Sequence, residues 1–175
     1  MQTASESVQA ADPVEFRRVL SAWTTGVAVI TAGQGGFPAG LVSNSFASVS
    51  LDPPLVSWCV SRDSTSLDTW LGAEGFAVHI LGAEESPTVS RFTRRGGDKF
   101  TGLDWTSGVT GAPLLPLGVA CLECRTWQQY DGGDHVIRIV SPHLDLVRVR
   151  VAGGMVTPRC RLLWDELRIE PSECG

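Results

Sequence analysis

Residues 43–56 read Ser-Asn-Ser-Phe-Ala-Ser-Val-Ser-Leu-Asp-Pro-Pro-Leu-Val, and this stretch says most about how the chain folds. The small polar residues Ser43, Asn44 and Ser45 interrupt an apolar run, and Asp52-Pro53-Pro54 marks a turn before the next run. These polar side chains can contact a ligand, or they can satisfy backbone groups at a strand end. Their spacing alone favours the second interpretation.

On both sides of that stretch, short runs rich in β-branched and aromatic residues alternate with glycine and proline clusters. The predicted strands are residues 27–31, 41–50, 55–61, 76–81, 119–127 and 136–151. Most of them follow one another without a long helix between them, which disfavours a doubly wound parallel sheet. The pattern predicts a mainly β fold, an antiparallel β-barrel with peripheral helices.

Three helices are predicted at the periphery of this barrel. Asp12-Pro13 suits a helix start, because aspartate can cap and proline fits the first helical position. An apolar stripe at helical spacing follows, and Gly26 ends it. The stripe consists of Phe16, Val19, Leu20 and Trp23. Two shorter helices are predicted at residues 66–71 and 86–92.

The composition predicts one globular domain over residues 12–165, with tails at residues 1–11 and 170–175. The chain has 175 residues, of which 43% are hydrophobic and 19% are charged. A net charge of −5 with scattered basic residues speaks against a nucleic-acid partner. Residues 19–51 carry no charge but are broken by glycines and a proline, so we expect no membrane segment. The first ten residues lack a secretory signal, which favours a cytoplasmic location.

The number of cysteines also favours a cytoplasmic location. There are five, an odd number that does not suggest a disulfide framework. Cys121 and Cys124 form a CxxC within a predicted strand, where residues three apart point to opposite faces. The histidines His79, His135 and His143 supply no matching ligand pair, so no metal site is predicted. Cys121 is expected to be a small core residue.

Two loop segments carry groups that suit an anion. Ser61, Ser64 and Ser66 offer hydroxyls at the start of a predicted helix, where either a phosphate or plain capping would use them. Lys99 is the only lysine in the chain and follows Gly-Gly-Asp. It can reach an anionic group with Phe100 as a stacking or packing surface, or it can belong to a solvated loop tip.

The remaining candidate is a turn that ends in a histidine. Residues 130–135 read Tyr-Asp-Gly-Gly-Asp-His, which puts His135 at the first position of a strand near a barrel rim. Such a histidine is either functional or an ordinary rim residue. His79 lies within a predicted strand and is expected to be satisfied and partly buried. The chain contains no GxGxxG, GxxxxGK[ST], GxSxG or HExxH, which disfavours classical nucleotide folds, α/β-hydrolases and zinc proteases.

In order and spacing, these segments resemble the flavin reductase-like proteins with the FMN-binding split-barrel fold. The resemblance covers residues 12–139, and its most specific parts are the block at residues 43–56 and the Gly-Asp-His at residues 133–135. Further matching segments are residues 16–20, 25–31, 76–78, 98–100 and 122–124. After residue 139 the sequence departs from the family pattern, and Pro142 predicts an edge, a bulge or a bend there.

The resemblance implies a homodimer with a flavin near the subunit interface. It implies that NADH or NADPH, with NADH favoured, reduces FMN or FAD by hydride transfer. The reduced flavin would then leave for a separate flavin-dependent monooxygenase. Two alternatives stay open at this point. The flavin could remain tightly bound and act directly on an organic substrate, or the chain could bind flavin without catalysis.

The resemblance also assigns residues to the flavin and to the nicotinamide. The implied flavin contacts are Ser43, Asn44 and Ser45 along the isoalloxazine, Cys59 near the ring system, Ser61, Ser64 and Ser66 at the ribityl phosphate, and Lys99 and Phe100 closing the site. His135 would face the nicotinamide. Hydride transfer is the cofactors' own chemistry, so the site needs no general acid–base pair.

Overall fold

The computed structural model describes residues 25–34, 37–151 and 154–156, together with Asp12, Val14, Phe16, Leu20 and Ala22. Val14, Phe16 and Leu20 are helical, and the Asp12 carboxylate accepts a hydrogen bond from the Val14 N–H at 3.0 Å. These contacts agree with a helix that starts at Asp12. The rest of that predicted helix, the predicted tails and residues 157–165 lie outside the described residues.

Short strands dominate the described part of the chain. The strands are β1 (Ala28–Gln34), β2 (Phe37–Ser43), β3 (Ala47–Leu51), β4 (Pro54–Ser61), β5 (Gly75–Ile80), β6 (Thr106–Ser107), β7 (Pro113–Leu114), β8 (Ala120–Gly132), β9 (His135–Pro142), β10 (Arg148–Val151) and β11 (Gly154–Val156). The helices are α1 (Leu67–Gly72) and α2 (Ser86–Phe92), with 3₁₀ turns at Ala83–Glu85 and Leu144–Leu146. Both short helices were predicted from the sequence, and the structure confirms them.

Nine of the described strands form one curled antiparallel sheet in the order β2-β1-β5-β8-β9-β4-β3, with β10 paired to β8 and β11 paired to β10, and β6 and β7 form a separate two-stranded sheet. Strands β2 and β4 approach each other without sharing a hydrogen-bonded ladder. Past Ser57, β4 no longer pairs with β3, and its Cys59 N–H donates to the Ser45 hydroxyl at 2.9 Å. The sheet is therefore a barrel split between β2 and β4, which confirms the predicted fold class.

Aromatic side chains fill the barrel interior. Trp58 on β4 packs edge-to-face against Trp70 of α1 and Phe76 of β5, with ring centroids 5.7 and 5.4 Å apart. All three are almost completely buried. Inward and outward residues alternate along β4, as expected for a strand with one face on the core. Helix α1 therefore closes one end of the barrel through Trp70.

The outer face of the sheet carries two further apolar clusters. One joins Val29 to Phe92 of α2 and to Phe100, and the other packs Cys121 against Ala77. Cys124 belongs instead to the barrel interior, so the two cysteines lie on opposite faces of β8 as predicted. Burial raises the pKa of the Cys121 thiol to about 12, so that thiol is protonated. Cys121 is the small core residue that the sequence predicted.

A histidine lies beneath this outer layer. His79 is fully buried, more completely than its strand position predicted. Its Nδ1–H donates to the Val29 carbonyl at 3.1 Å, and Nε2 accepts from the Leu115 N–H at 3.0 Å. The loop that carries Leu115 covers the ring. Burial lowers the pKa of His79 to about 4, so the imidazole is neutral at physiological pH.

An arginine is buried in the barrel interior. Arg138 of β9 is 1% exposed, and its guanidinium lies 5.1 Å from the centre of the Phe76 ring. It donates hydrogen bonds to the Leu71 and Ala73 carbonyls, the Gln129 side chain and the Thr126 hydroxyl. Burial lowers the pKa of Arg138. These bonds tie the C-terminal end of α1 to the β8–β9 hairpin.

Several predicted strands were wrong in extent, and the one predicted at 119–127 continues to Gly132 as β8, because it pairs with β9 up to the turn. The strand predicted at 41–50 is divided between β2 and β3, because the Ser43 hydroxyl accepts from the Ser45 N–H at 3.3 Å and turns the chain there. The strand predicted at 136–151 is divided between β9 and β10 by the turn Leu144–Leu146. Pro142 is the last residue of β9, in line with the predicted bend, since proline has no N–H to extend a ladder.

Candidate functional site

A cavity of about 270 Å³ opens at the split between β2 and β4, and we call it the split cavity. Its described lining residues are Leu41, Val42, Ser43, Asn44, Ser45, Cys59, Val60, Ser61, Ser64 and His135. Seven of these ten were assigned to flavin or nicotinamide from the sequence. The chain brings them together because the two strand ends that carry them meet at the split.

The hydroxyls of Ser43 and Ser45 lie between the end of β2 and β4 and connect the two strands. Their oxygens are 2.9 Å apart, and Ser45 also accepts from the Cys59 N–H. Ser43 is buried, whereas Asn44 is exposed at the turn. The hydroxyls thus satisfy backbone groups and line a cavity as well, so the two interpretations of this stretch are compatible.

The serines after β4 shape the next part of the wall. The Ser61 hydroxyl accepts from the Asp63 N–H at 3.2 Å, and the Ser64 hydroxyl accepts from the Ser66 N–H at 3.4 Å. Ser66 is the residue before α1, but its side chain makes no capping hydrogen bond. Plain capping therefore does not account for Ser66.

A narrow second cavity of about 40 Å³ continues along β2, and we call it the lysine cavity. Its described lining residues are Pro38, Ala39, Gly40, Thr65, Ser66, Gly96, Gly97, Lys99 and Phe100. The segment from Ser64 to Ser66 borders both cavities. The three predicted site residues that are absent from the split cavity, Ser66, Lys99 and Phe100, all line this second one.

Lys99 and Phe100 are held firmly by the fold. The Lys99 ammonium donates to the Gly40 carbonyl at 3.0 Å and to the Phe92 carbonyl at 2.9 Å, and burial lowers the pKa of Lys99. Phe100 is 5% exposed and packs edge-to-face between Phe92 and Trp105. Phe100 is therefore a packing residue whose ring also borders the cavity.

His135 lies at the rim of the split cavity, at the first position of β9. It is paired with Ser61 across the β4–β9 ladder. Its Nδ1 lies 2.7 Å from the Asp134 carboxylate. A carboxylate only accepts, so Nδ1 carries the proton of this bond. This contact orients the ring and fixes which nitrogen is protonated.

Arg62 holds the turn that carries His135, and sequence reasoning missed it. Its side chain donates to the Gly133 carbonyl at 2.8 Å and to the Asp131 carboxylate at 3.1 Å. Its backbone N–H donates to the Asp134 carbonyl at 2.9 Å. The Gly133 N–H and Arg62 together lower the pKa of Asp131, which keeps the carboxylate ionised.

The chemistry of the split cavity suits a flat cofactor with a polar edge. Leu41, Val42 and Val60 supply apolar wall, and the serine hydroxyls supply hydrogen bonds. Among the described lining residues, only Cys59 and His135 have ionisable side chains. A flavin fits this combination, because it brings its own redox chemistry and needs binding and orientation from the protein.

An antiparallel barrel with such a cavity at its split has the architecture of a ligand-binding barrel, since the mouths of β-barrels are common ligand sites. Residues 20–155 match the family described as "Flavin reductase like domain". This match spans more than half of the chain, so the chain belongs to the flavin reductase-like family. The predicted family and the predicted flavin reductase function are thereby confirmed.

Three similar proteins illustrate the family. FMN reductase (NADH) SmoA of Agrobacterium fabrum is 45% identical over 122 residues, which cover 70% of each chain. The reductase subunit HsaB of a flavin-dependent monooxygenase from Rhodococcus jostii is 41% identical, over 74% of this chain and 66% of the relative. The NADH:FAD oxidoreductase SgcE6 of Streptomyces globisporus, solved with NAD and FAD fragments, has a TM-score of 0.73 and 37% identity, covering 83% of this chain and 88% of that one. These names support the predicted cofactors, a flavin and NADH.

The structure also bears on membrane association. Within the described residues, no helix is both long enough and apolar enough to cross a bilayer.

Proposed function

We propose that the chain is an NADH-dependent reductase that binds FMN or FAD in the split cavity and supplies the reduced flavin to a separate flavin-dependent monooxygenase. The observation that carries this proposal is the meeting of Ser43, Asn44, Ser45, Cys59 and His135 around one cavity at the barrel split. The names of SmoA and HsaB support NADH as donor and a monooxygenase as recipient.

The two cavities suggest how the flavin lies. Residues 43–45 would hold the isoalloxazine in the split cavity, and Ser64 at its edge and Ser66 in the lysine cavity would hold the ribityl phosphate. Lys99 adds positive charge there while the carbonyls of Gly40 and Phe92 hold it in position. When bound, the flavin supplies the chemistry of accepting a hydride from the nicotinamide.

The protein's own contribution is binding and orientation. Asn44 is exposed at the cavity and offers an amide to the polar edge of the ring. His135 is at the rim, with its ring oriented by Asp134, and would contact a bound nicotinamide. No side chain has to abstract a proton, which agrees with a lining that holds so few titratable groups.

We further propose that the chain forms a homodimer and works in the cytoplasm. From Arg125 to Gly132 every residue of β8 is exposed, and this arm carries Trp127 and Tyr130, which are 57% and 55% exposed. A second copy packed against the arm would bury these rings. Cys59, Cys121 and Cys124 are free thiols, as expected in a reducing compartment.

The experiment is a steady-state assay of NADH oxidation by flavin-stripped protein, with FMN and FAD titrated separately and NADPH tested in parallel. Saturable turnover that depends on added flavin and prefers NADH supports the proposal. Full activity after free flavin is removed would instead indicate a bound cofactor that acts directly on an organic substrate. Flavin binding without NADH oxidation would indicate a non-catalytic flavin-binding protein.

A further inference from the structure

A third cavity of about 490 Å³, which we call the aromatic cavity, continues beyond the lysine cavity. Its described lining residues are Phe37, Pro38, Asp98, Phe100, Thr101 and Trp105. It shares Pro38 and Phe100 with the lysine cavity. The three cavities thus follow β2 in order, from Ser43 at one end to Phe37 at the other.

The sizes of these cavities vary along that path. A wide cavity of about 270 Å³ leads to a narrow one of about 40 Å³ and then to another wide one of about 490 Å³. Gly96 and Gly97 border the narrow part with φ of 67° and 72°, a left-handed backbone that side chains rarely adopt. A loop without side chains leaves room for an extended chain of phosphates between two ring systems.

The walls of the aromatic cavity suit a flat base. Phe37 is 80% exposed and Trp105 is 40% exposed, an unusual placement for two large rings on one cavity. Phe100 supports Trp105 edge-to-face, with ring centroids 6.2 Å apart. Exposed aromatic rings are platforms on which nucleobases stack.

Asp98 carries the one carboxylate among the described lining residues, and this carboxylate accepts hydrogen bonds from its own loop. Asp98 accepts from the Phe100 N–H at 2.7 Å, from the Thr101 N–H at 3.1 Å and from the Thr101 hydroxyl. These bonds fix the loop that carries Lys99 and Phe100. Lys99 and the hydroxyls of Thr65 and Ser66 remain to face a phosphate chain in the lysine cavity.

We propose that this chain takes FAD in preference to FMN and that the adenine ring of FAD stacks in the aromatic cavity against Phe37 and Trp105. The inference rests on the proposed function, since it needs the isoalloxazine in the split cavity. FMN ends at its phosphate and leaves the aromatic cavity unused. The AMP half of FAD extends the same ligand along β2 into the third cavity, with its diphosphate in the narrow part.

The test compares dissociation constants of FAD and FMN, measured by flavin fluorescence, for the wild-type chain and for Phe37→Ala and Trp105→Ala. We expect the wild type to bind FAD more tightly, and each variant to lose about tenfold in FAD affinity with FMN affinity nearly unchanged. Val109→Ala is the control, because Val109 is 70% exposed and does not line the cavity. AMP alone should displace FAD but not FMN.

Other results would overturn the inference. Equal losses for FMN and FAD, unchanged FAD affinity, or a wild type that prefers FMN would each contradict it. If the variants raise the KM for NADH with FMN as the flavin, the cavity binds the adenine of NADH instead. Phe37 is exposed enough for its variant to fold even if Trp105→Ala does not. The dissociation constants are measured without turnover. A chain that lacks reductase activity can therefore still show or lack the adenine site, and the two failures are distinguished.

Discussion

At the residue scale, His135 combines a rim position with a fixed ring orientation. His135→Ala removes the imidazole that we assign to the nicotinamide and leaves the serine wall of the split cavity intact. We expect the KM for NADH to rise or kcat to fall by about tenfold, the usual effect of losing one hydrogen-bonding contact of about 1–3 kcal/mol. Steady-state kinetics and flavin titration check this together. A flavin affinity that falls as much as the NADH parameters would contradict the assignment.

Arg62 acts on His135 through the turn and is a positioning residue. Arg62→Ala removes the bonds to Gly133 and Asp131, so the turn loosens and the KM for NADH should rise several-fold. In a His135→Ala background the same change should have little further effect, because both act through one group. Arg94→Ala, at an exposed arginine, is the control. Equal effects of Arg62→Ala in both backgrounds would show that it acts elsewhere.

The sequence identified candidate site residues that belong to short motifs. It did not identify residues whose role depends on contacts with distant parts of the chain. Serines in a run and a histidine after Gly-Asp are visible as motifs, and the structure brings them to two adjoining cavities. Arg62 meets Asp131 and Gly133 only because β4 and β9 pair, so nothing near Arg62 in the chain signals that contact. Val42 and Val60 likewise have the sequence pattern of ordinary strand residues, and they form a cavity wall only because their two strands meet in the fold.

At the element scale, the C-terminal end of α1 depends on a buried cation from β9, Arg138. Arg138→Ala removes one donor from each of the buried carbonyls of Leu71 and Ala73, and the Ala73 carbonyl keeps its bond from the Thr126 hydroxyl at 3.0 Å. We expect the free energy of unfolding to fall by about 3 kcal/mol or more. Urea denaturation checks this, with Arg94→Ala, at an exposed arginine outside the β8 arm, as a control that should change it by less than about 0.5 kcal/mol. Equal, small effects for both variants would contradict this role.

The elements themselves were largely predictable, and their ends were not. Runs rich in β-branched and aromatic residues, with glycine or proline punctuation, located β1, β4, β5, β8 and β9. The break between β2 and β3 depends on a serine hydroxyl that competes with the ladder, which a hydrophobic pattern does not register. The small strands β6 and β7 depend on tertiary packing of a loop, and two residues each are too few to carry a pattern.

At the scale of the whole molecule, the buried His79 links stability to pH. Its pKa of about 4 lies below the unfolded value of 6.5, so the unfolded chain binds the extra proton first. The contribution of the neutral ring to the free energy of unfolding is present in full above about pH 6.5. It is lost as the pH falls towards about 4, and the total loss is about 3 kcal/mol. Denaturation curves at several pH values measure this loss.

The control for this linkage is His79→Gln, which cannot titrate. The carboxylates of the chain titrate alike in both proteins, so their contribution cancels in the difference. We expect the stability gap between wild type and variant to narrow as the pH falls from about 7 to about 4. Parallel curves would mean that His79 is not the titrating group.

The proposed function depends on flavin binding in the split cavity, and blocking that cavity tests it. Cys59 lines the cavity and is half-buried, so Cys59→Trp fills it with a ring while Cys59→Ser keeps its size. Flavin dissociation constants are measured by fluorescence for both folded variants and the wild type. We predict that the serine variant binds within a few-fold of the wild type and that the tryptophan variant loses flavin binding. A folded Cys59→Trp chain that binds flavin as tightly as the wild type would contradict the account.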